Sequence, residues 1–147
     1  LAAADTKADN FSGTGIKLET LIEQIESSVA REKILLLDAS HAGEGSDRKM
    51  QPSTAEMMES LALATGGSPL KSVSVIASCR KGESGQVWRD KEHGVFPWFI
   101  ADALTGRADK NRDLVLSAKE LYDYLRQSMT EATGPNQPLQ TPVLFQR

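Results

Sequence analysis

A chain of 147 residues with 39% hydrophobic and 25% charged side chains has the composition of one globular domain, or a large piece of one, and excludes collagen, coiled coil and wholesale disorder. Seventeen basic against twenty acidic residues leave a net charge of −3 with no basic stripe, which argues against a nucleic-acid backbone as partner. A single cysteine, Cys79, excludes an internal disulfide framework and a thiolate zinc site, and His41 and His93 are the whole imidazole supply.

No apolar run approaches the roughly 18 residues of a membrane span, so no membrane partner is expected. Leu1-Ala2-Ala3-Ala4 stops at Asp5 without a basic lead and does not read as a signal peptide, which leaves a cytoplasmic location as the expectation. In chain order, Leu18, Leu21, Ile22, Ile25 and Val29 fall on one helical face. Lys33-Ile34-Leu35-Leu36-Leu37-Asp38 is a short continuous apolar run with a polar end, the pattern of a parallel strand buried on both faces. A polar stretch runs to Gln51. Ser53 and Glu56 then form a capping box for a helix through about Ala64, closed by Gly66-Gly67.

Ser72 to Ala77 reads as a second strand, followed by a long polar loop from Ser78 to Glu92. Phe96, Phe99, Ile100, Ala103 and Leu104 make a helical stripe that tolerates Pro97 in its first turn and ends at Gly106. A last helix opens at Ser117, with Glu120 as box partner, and turns Leu121, Tyr124, Leu125 and Met129 inward. The Pro- and Gln-rich tail from Gly134 reads as irregular. Alternating helices and buried strands are the grammar of a doubly wound α/β sheet, in which ligands sit outside the carboxyl ends of the strands. Two loops leave those ends here, 38–46 and 78–92.

Leu36-Leu37-Asp38-Ala39-Ser40-His41-Ala42-Gly43 is the most informative string. A hydroxyl stands just past a buried strand, small residues follow, and a carboxylate lies two positions earlier. In extended backbone, positions two apart face the same way, so Asp38 and Ser40 are expected to look into one cleft. The alternative is a strand end that turns on local Asp and Ser hydrogen bonds.

This string resembles the nucleophile motif of caspase-like cysteine peptidases of the metacaspase and orthocaspase type, Asp-x-Cys-His-(Ser/Ala)-Gly after a buried strand. The similarity continues through Ala77-Ser78-Cys79-Arg80-Lys81-Gly82-Glu83-Ser84, His93-Gly94-Val95-Phe96, Gly106-Arg107-Ala108-Asp109-Lys110-Asn111-Arg112-Asp113 and Glu120-Leu121-Tyr122-Asp123-Tyr124, in that order and over nearly the whole chain. The resemblance implies a caspase-like α/β fold, a mostly parallel central sheet with helices on both faces, of which residues 1–147 are the later portion. It implies an endopeptidase that cleaves after Arg or Lys.

Two departures stand out. Ser40 occupies the position of the family's cysteine, and a hydroxyl is a poor nucleophile unless a base takes its proton. The family's base histidine, in a His-Gly motif upstream of the nucleophile strand, has no counterpart, so the chain as written is expected to be inactive and the histidine to come from an upstream segment or a second chain. Ser40 as an engineered cysteine replacement, as the mark of a natural pseudo-peptidase scaffold that binds protein partners, and as a working serine nucleophile are three open accounts. His41 points away from its neighbour Ser40 in extended backbone, and His93 reads as a turn or capping residue, so neither fits the base.

A carboxylate beside the nucleophile favours a cationic substrate side chain, and the resemblance places Asp38 in the specificity pocket. Asp38 as a local amide cap is the alternative. Ser78, Glu83 and Gln86 are expected across the cleft on the second loop, with His41 and Gly43 next to the nucleophile. Cys79 reads as structural or as lining the cleft. Arg147 ends the sequence on the residue that cleavage after Arg would leave, so self-processing is one open expectation and an end of other origin the alternative. Asp109, Asn111, Asp113, Val115, Ser117 and Glu120 fall on ligand positions of an EF-hand loop, but Leu114 stands where that loop carries Gly, and Glu120 is already the partner of Ser117. No cofactor is expected, and calcium at this loop is the weak candidate.

Overall fold

The computed structural model describes residues 5, 7, 10–39, 54–64, 70–132 and 139–146. Helices α1 (Phe11–Thr14) and α2 (Leu18–Glu26) precede strand β1 (Lys33–Leu37), and helix α3 (Thr54–Ala64) precedes β2 (Val73–Ala77). A small hairpin follows, β3 (Val87–Trp88) and β4 (His93–Gly94), with a 3-10 turn at Arg89–Lys91 between them. Helix α4 (Val95–Asp102) continues into a π turn at Ala103–Arg107, then come α5 (Ala118–Ala132) and β5 (Val143–Phe145).

The architecture is mixed α/β. β1 and β2 pair in parallel, Lys33 with Val73 through Leu37 with Ala77, while β5 adds antiparallel to the other edge of β2. The sheet is therefore mixed rather than mostly parallel. The two-residue period of the strands divides the core. Ile34, Leu36, Ile76 and Leu144 face α4 and α5 with Phe96, Leu121, Leu125 and Met129. Leu35, Leu37, Val73, Val75 and Phe145 face the opposite way, onto Leu18 and Ile22 of α2 and Met58 of α3. Helices thus cover both faces, and the apolar composition of β1 and β2 has its cause in that double burial.

Local signals account for most boundaries. At α5 the Ser117 hydroxyl accepts from the Glu120 amide at 3.2 Å, and Glu120 Oε2 accepts from the Ser117 amide at 3.2 Å and its hydroxyl at 2.7 Å, the reciprocal box the sequence predicts. Gly106 takes a left-handed φ of +98° where the helical run ends.

Beyond the sheet, four expectations differ. The loop read over 78–92 carries β3 and the 3-10 turn that follows it. Val29, placed on the α2 stripe, lies beyond a helix that stops at Glu26 and is fully exposed. Leu104 is 68% exposed, because at 3.6 residues per turn it falls about a quarter-turn round from the centre of the stripe made by Phe96, Phe99, Ile100 and Ala103. The tail holds an ordered strand: Val143, Leu144 and Phe145 pair with Ala77, Ile76 and Val75. No helix among the described residues is long and apolar enough to cross a membrane.

Candidate functional site at the strand ends

The parallel register brings the carboxyl ends of β1 and β2 together. Leu37 pairs with Ala77, and the Ser78 amide donates to the Leu37 carbonyl at 2.9 Å, so Asp38 and Ser78 leave neighbouring strands at the same level. Asp38 is exposed, and no hydrogen bond or ion pair engages its side chain among the described residues. Its carboxylate is therefore open to a cation from solvent. Ser78 is the reverse case. It is fully buried and forms the floor between the strand ends rather than a solvent-facing wall. Ser40, His41 and Gly43, with the rest of loop 40–46, lie outside the described residues, as do Ser53, Gly66-Gly67 and Arg147.

The second loop folds back on itself. The Glu83 amide donates to the Arg80 carbonyl at 3.1 Å, and Gly82 in that turn has a φ of +77° that favours glycine. Cys79 is a free, fully buried thiol whose Sγ lies 3.5 Å from the Glu83 carbonyl, in keeping with a structural role. Glu83 and Gln86, expected to face substrate, are tied elsewhere. Glu83 accepts from the amides of Arg80 and Thr141 and from the Thr141 hydroxyl. The Gln86 amide donates to Gln140 Oε1 at 2.8 Å, and Gln86 Nε2 donates to the Ser84 carbonyl at 3.1 Å. Gln140 and Thr141 escaped the sequence reading. Their only signal is Gln-Thr-Pro before a short Val-Leu-Phe run, which becomes a strand only against β2.

His93 is exposed in the hairpin, paired with Trp88, and its ring lies 5.8 Å from that of Trp98. Lys91 Nζ sits 4.7 Å over Trp98 and 5.6 Å over Trp88, a cation–aromatic cluster that braces the hairpin on α4.

In the Asp109 loop the acidic groups turn onto their own backbone. Asp109 accepts from the amides of Arg112 at 2.8 Å and Leu114 at 2.9 Å, and Asp113 accepts from Val115 at 2.8 Å. These bonds hold Arg112 and Leu114 at φ of 61° and 68°, which side chains rarely adopt. Hydrogen bonds from Ser117 keep the Glu120 carboxyl below its ordinary range, against a smaller desolvation that raises it. Among the described residues no three His, Cys, Asp or Glu side chains converge as a metal-ligand set. An open depression of about 470 Å³ borders this loop, lined by Asn111, Asp113, Ser117 and Glu120 together with Lys110 and Lys119, away from the strand ends.

Two other titrating groups stabilise the scaffold. At the opposite end of the sheet, Glu26 accepts from the amides of Lys71 at 2.7 Å, Ser72 at 2.9 Å and Val73 at 3.0 Å, and from the Ser72 hydroxyl at 2.6 Å. Desolvation there raises its pKa, but the four donors outweigh it and bring the group from 4.5 to about 2. Burial, then a hydrogen bond donated to Asp102, raises the Tyr124 phenol above its ordinary value. Asp102 also faces Arg107 across 3.4 Å and links α5 to the π turn.

Comparison of the chain with protein-family models, with curated proteins and with solved structures finds no match.

Proposed function

We propose that the chain is the later portion of a caspase-like peptidase domain of the metacaspase or orthocaspase type, and that its cleft receives a polypeptide with an Arg or Lys side chain. The observation that carries this reading is Asp38: an exposed carboxylate, without a side-chain partner among the described residues, at the carboxyl end of a strand whose sequence runs on as Ala39-Ser40-His41-Ala42-Gly43. A carboxylate in that place complements a guanidinium or ammonium and disfavours an acidic side chain. Two further features support the reading. The strand ends lie side by side in a sheet covered on both faces, and the second loop begins at the same rim.

Ser40 stands at the nucleophile position, and the base that would take its proton is a histidine supplied by an upstream segment or a second chain. As written, the 147 residues bind substrate without turning it over. Binding of an Arg-ended peptide and of its citrulline-ended isostere to the chain and to Asp38→Asn tests recognition. The Arg peptide binds more tightly to the unaltered chain alone, and equal binding of the two peptides refutes the reading. Ser40→Cys, assayed with an Arg-ended fluorogenic peptide in the presence of the histidine-bearing segment, tests catalysis.

A second reading is a pseudo-peptidase scaffold for protein partners, compatible with the exposed setting of His93 beside Trp98. No activity with either Ser40 or Cys at that position, with partner binding retained, supports the scaffold.

A further inference from the structure

Of the two carboxylates expected at the cleft, Asp38 is exposed and has no side-chain hydrogen bond or ion pair among the described residues. Glu83 is engaged on both oxygens. Its Oε2 accepts from the Thr141 amide at 2.6 Å and the Arg80 amide at 3.1 Å, and its Oε1 accepts from the Thr141 hydroxyl at 3.0 Å. A guanidinium reaching Glu83 would compete with three charge-assisted hydrogen bonds. The neighbouring residue of the same segment, Gln140, is 3% exposed and directs Oε1 at the Gln86 amide, 2.8 Å away. Pro142, also fully buried, then leads into Val143, whose partner in β2 is Ala77. Residues 139–143 are therefore stitched to the loop at Glu83 and Gln86 and to the strand from which that loop departs.

The loop needs such ties. Within the loop the Glu83 amide closes a turn on the Arg80 carbonyl, and Gly82 adds conformational freedom that must be removed for a cleft wall to hold its shape. We propose that Glu83 is a positioning residue and not a contact for the basic side chain: with Gln140 it clamps the second cleft loop to the segment before β5, so that filling the cleft beside Asp38 and ordering residues 139–142 are coupled events. The coupling to peptide rests on the recognition reading above; the clamp itself rests on the geometry alone. Coupling of this kind is reciprocal, so bound peptide tightens the clamp by the same factor that the clamp tightens binding.

The test uses the full chain as Glu83→Gln, Thr141→Val, the double variant and Asp38→Asn. Amide hydrogen exchange is followed in 79–86 and 139–142, together with affinity for Arg-ended and citrulline-ended peptides. Either clamp variant speeds exchange in both segments, Glu83→Gln by about tenfold, while β1 and α5 keep wild-type rates. The double variant is no worse than Glu83→Gln, because both substitutions open one tie. Glu83→Gln weakens both peptides by the same factor and keeps the Arg-over-citrulline preference, which Asp38→Asn removes.

Exchange in 139–142 unchanged by Glu83→Gln overturns the clamp. Loss of the Arg preference in Glu83→Gln makes Glu83 a direct contact and overturns the positioning role. Should the unaltered chain bind neither peptide, the recognition reading falls and the exchange data alone decide the clamp. Thr141→Val, which removes the hydroxyl bond to Glu83 Oε1 and keeps the backbone amide bond, keeps the test open if Glu83→Gln does not fold.

Discussion

Replacing Glu26 by Gln tests whether a single carboxylate holds the start of β2. Three successive amides, of Lys71, Ser72 and Val73, and the Ser72 hydroxyl converge on it, and the Lys33 ammonium lies against the Glu26 carbonyl at 2.9 Å and Ser72 Oγ at 3.0 Å. A carboxyl drawn from 4.5 to about 2 corresponds to about 3 kcal/mol of preferential binding to the ionised form. The group sits at the solvent-screened rim of the sheet, and screening reduces that figure to ~1–2 kcal/mol. Because the folded-state value lies below the unfolded one, the stabilisation is fully present above pH ~4.5 and is lost as pH falls toward 2. Urea unfolding of the unaltered chain and of Glu26→Gln at steps from pH 7 to pH 3 reads it directly. The expected gap is ~1–2 kcal/mol and constant from pH 7 to about pH 5, then narrows as the acid limb is entered. A gap that stays the same at pH 3, or none at pH 7, refutes an ionised carboxylate as the strand clamp.

Leu125→Ala, at a fully buried position between the sheet and α4, is expected to cost ~3 kcal/mol and to lower the urea midpoint without altering the slope. Ser117→Ala removes one half of the α5 capping box and is expected to cost ~1 kcal/mol, seen as a lower thermal midpoint. Asp38→Asn leaves stability unchanged, since the side chain is exposed and unengaged, but weakens an Arg-ended peptide by about tenfold or more in a fluorescence titration.

Much of the scaffold was legible one element at a time. The α5 face, Leu121-Leu125-Met129, and its box follow from spacing and from Ser117 and Glu120 alone, because both are settled within two helical turns. β1 and β2 were legible because strands buried on both faces become continuously apolar. Less legible was whatever depends on a partner distant in sequence. Val143-Leu144-Phe145 carries too few residues to announce a strand; its pairing with Val75-Ile76-Ala77 supplies the hydrogen bonds that make it one. Leu104 has nearly the right spacing for a buried stripe, yet it sits at the stripe's edge, where no described element of the fold covers it. Glu83 looked like a wall residue because only the Arg80 amide among its donors is local; the other two come from Thr141, 58 positions away.

Sequence by itself determined helices α2 to α5, the two apolar strands, the acidic group at the end of the first of them and the small-residue string after it, because each is written in side chains close together along the chain. Tertiary structure decided which of those groups are free. It left Asp38 in solvent, sank Ser78 into the floor and bound Glu83 to the segment before β5. The physical reason is that a polar group's availability depends on which donors and acceptors the fold brings within about 3 Å, and those come from elements that only the assembled sheet makes neighbours.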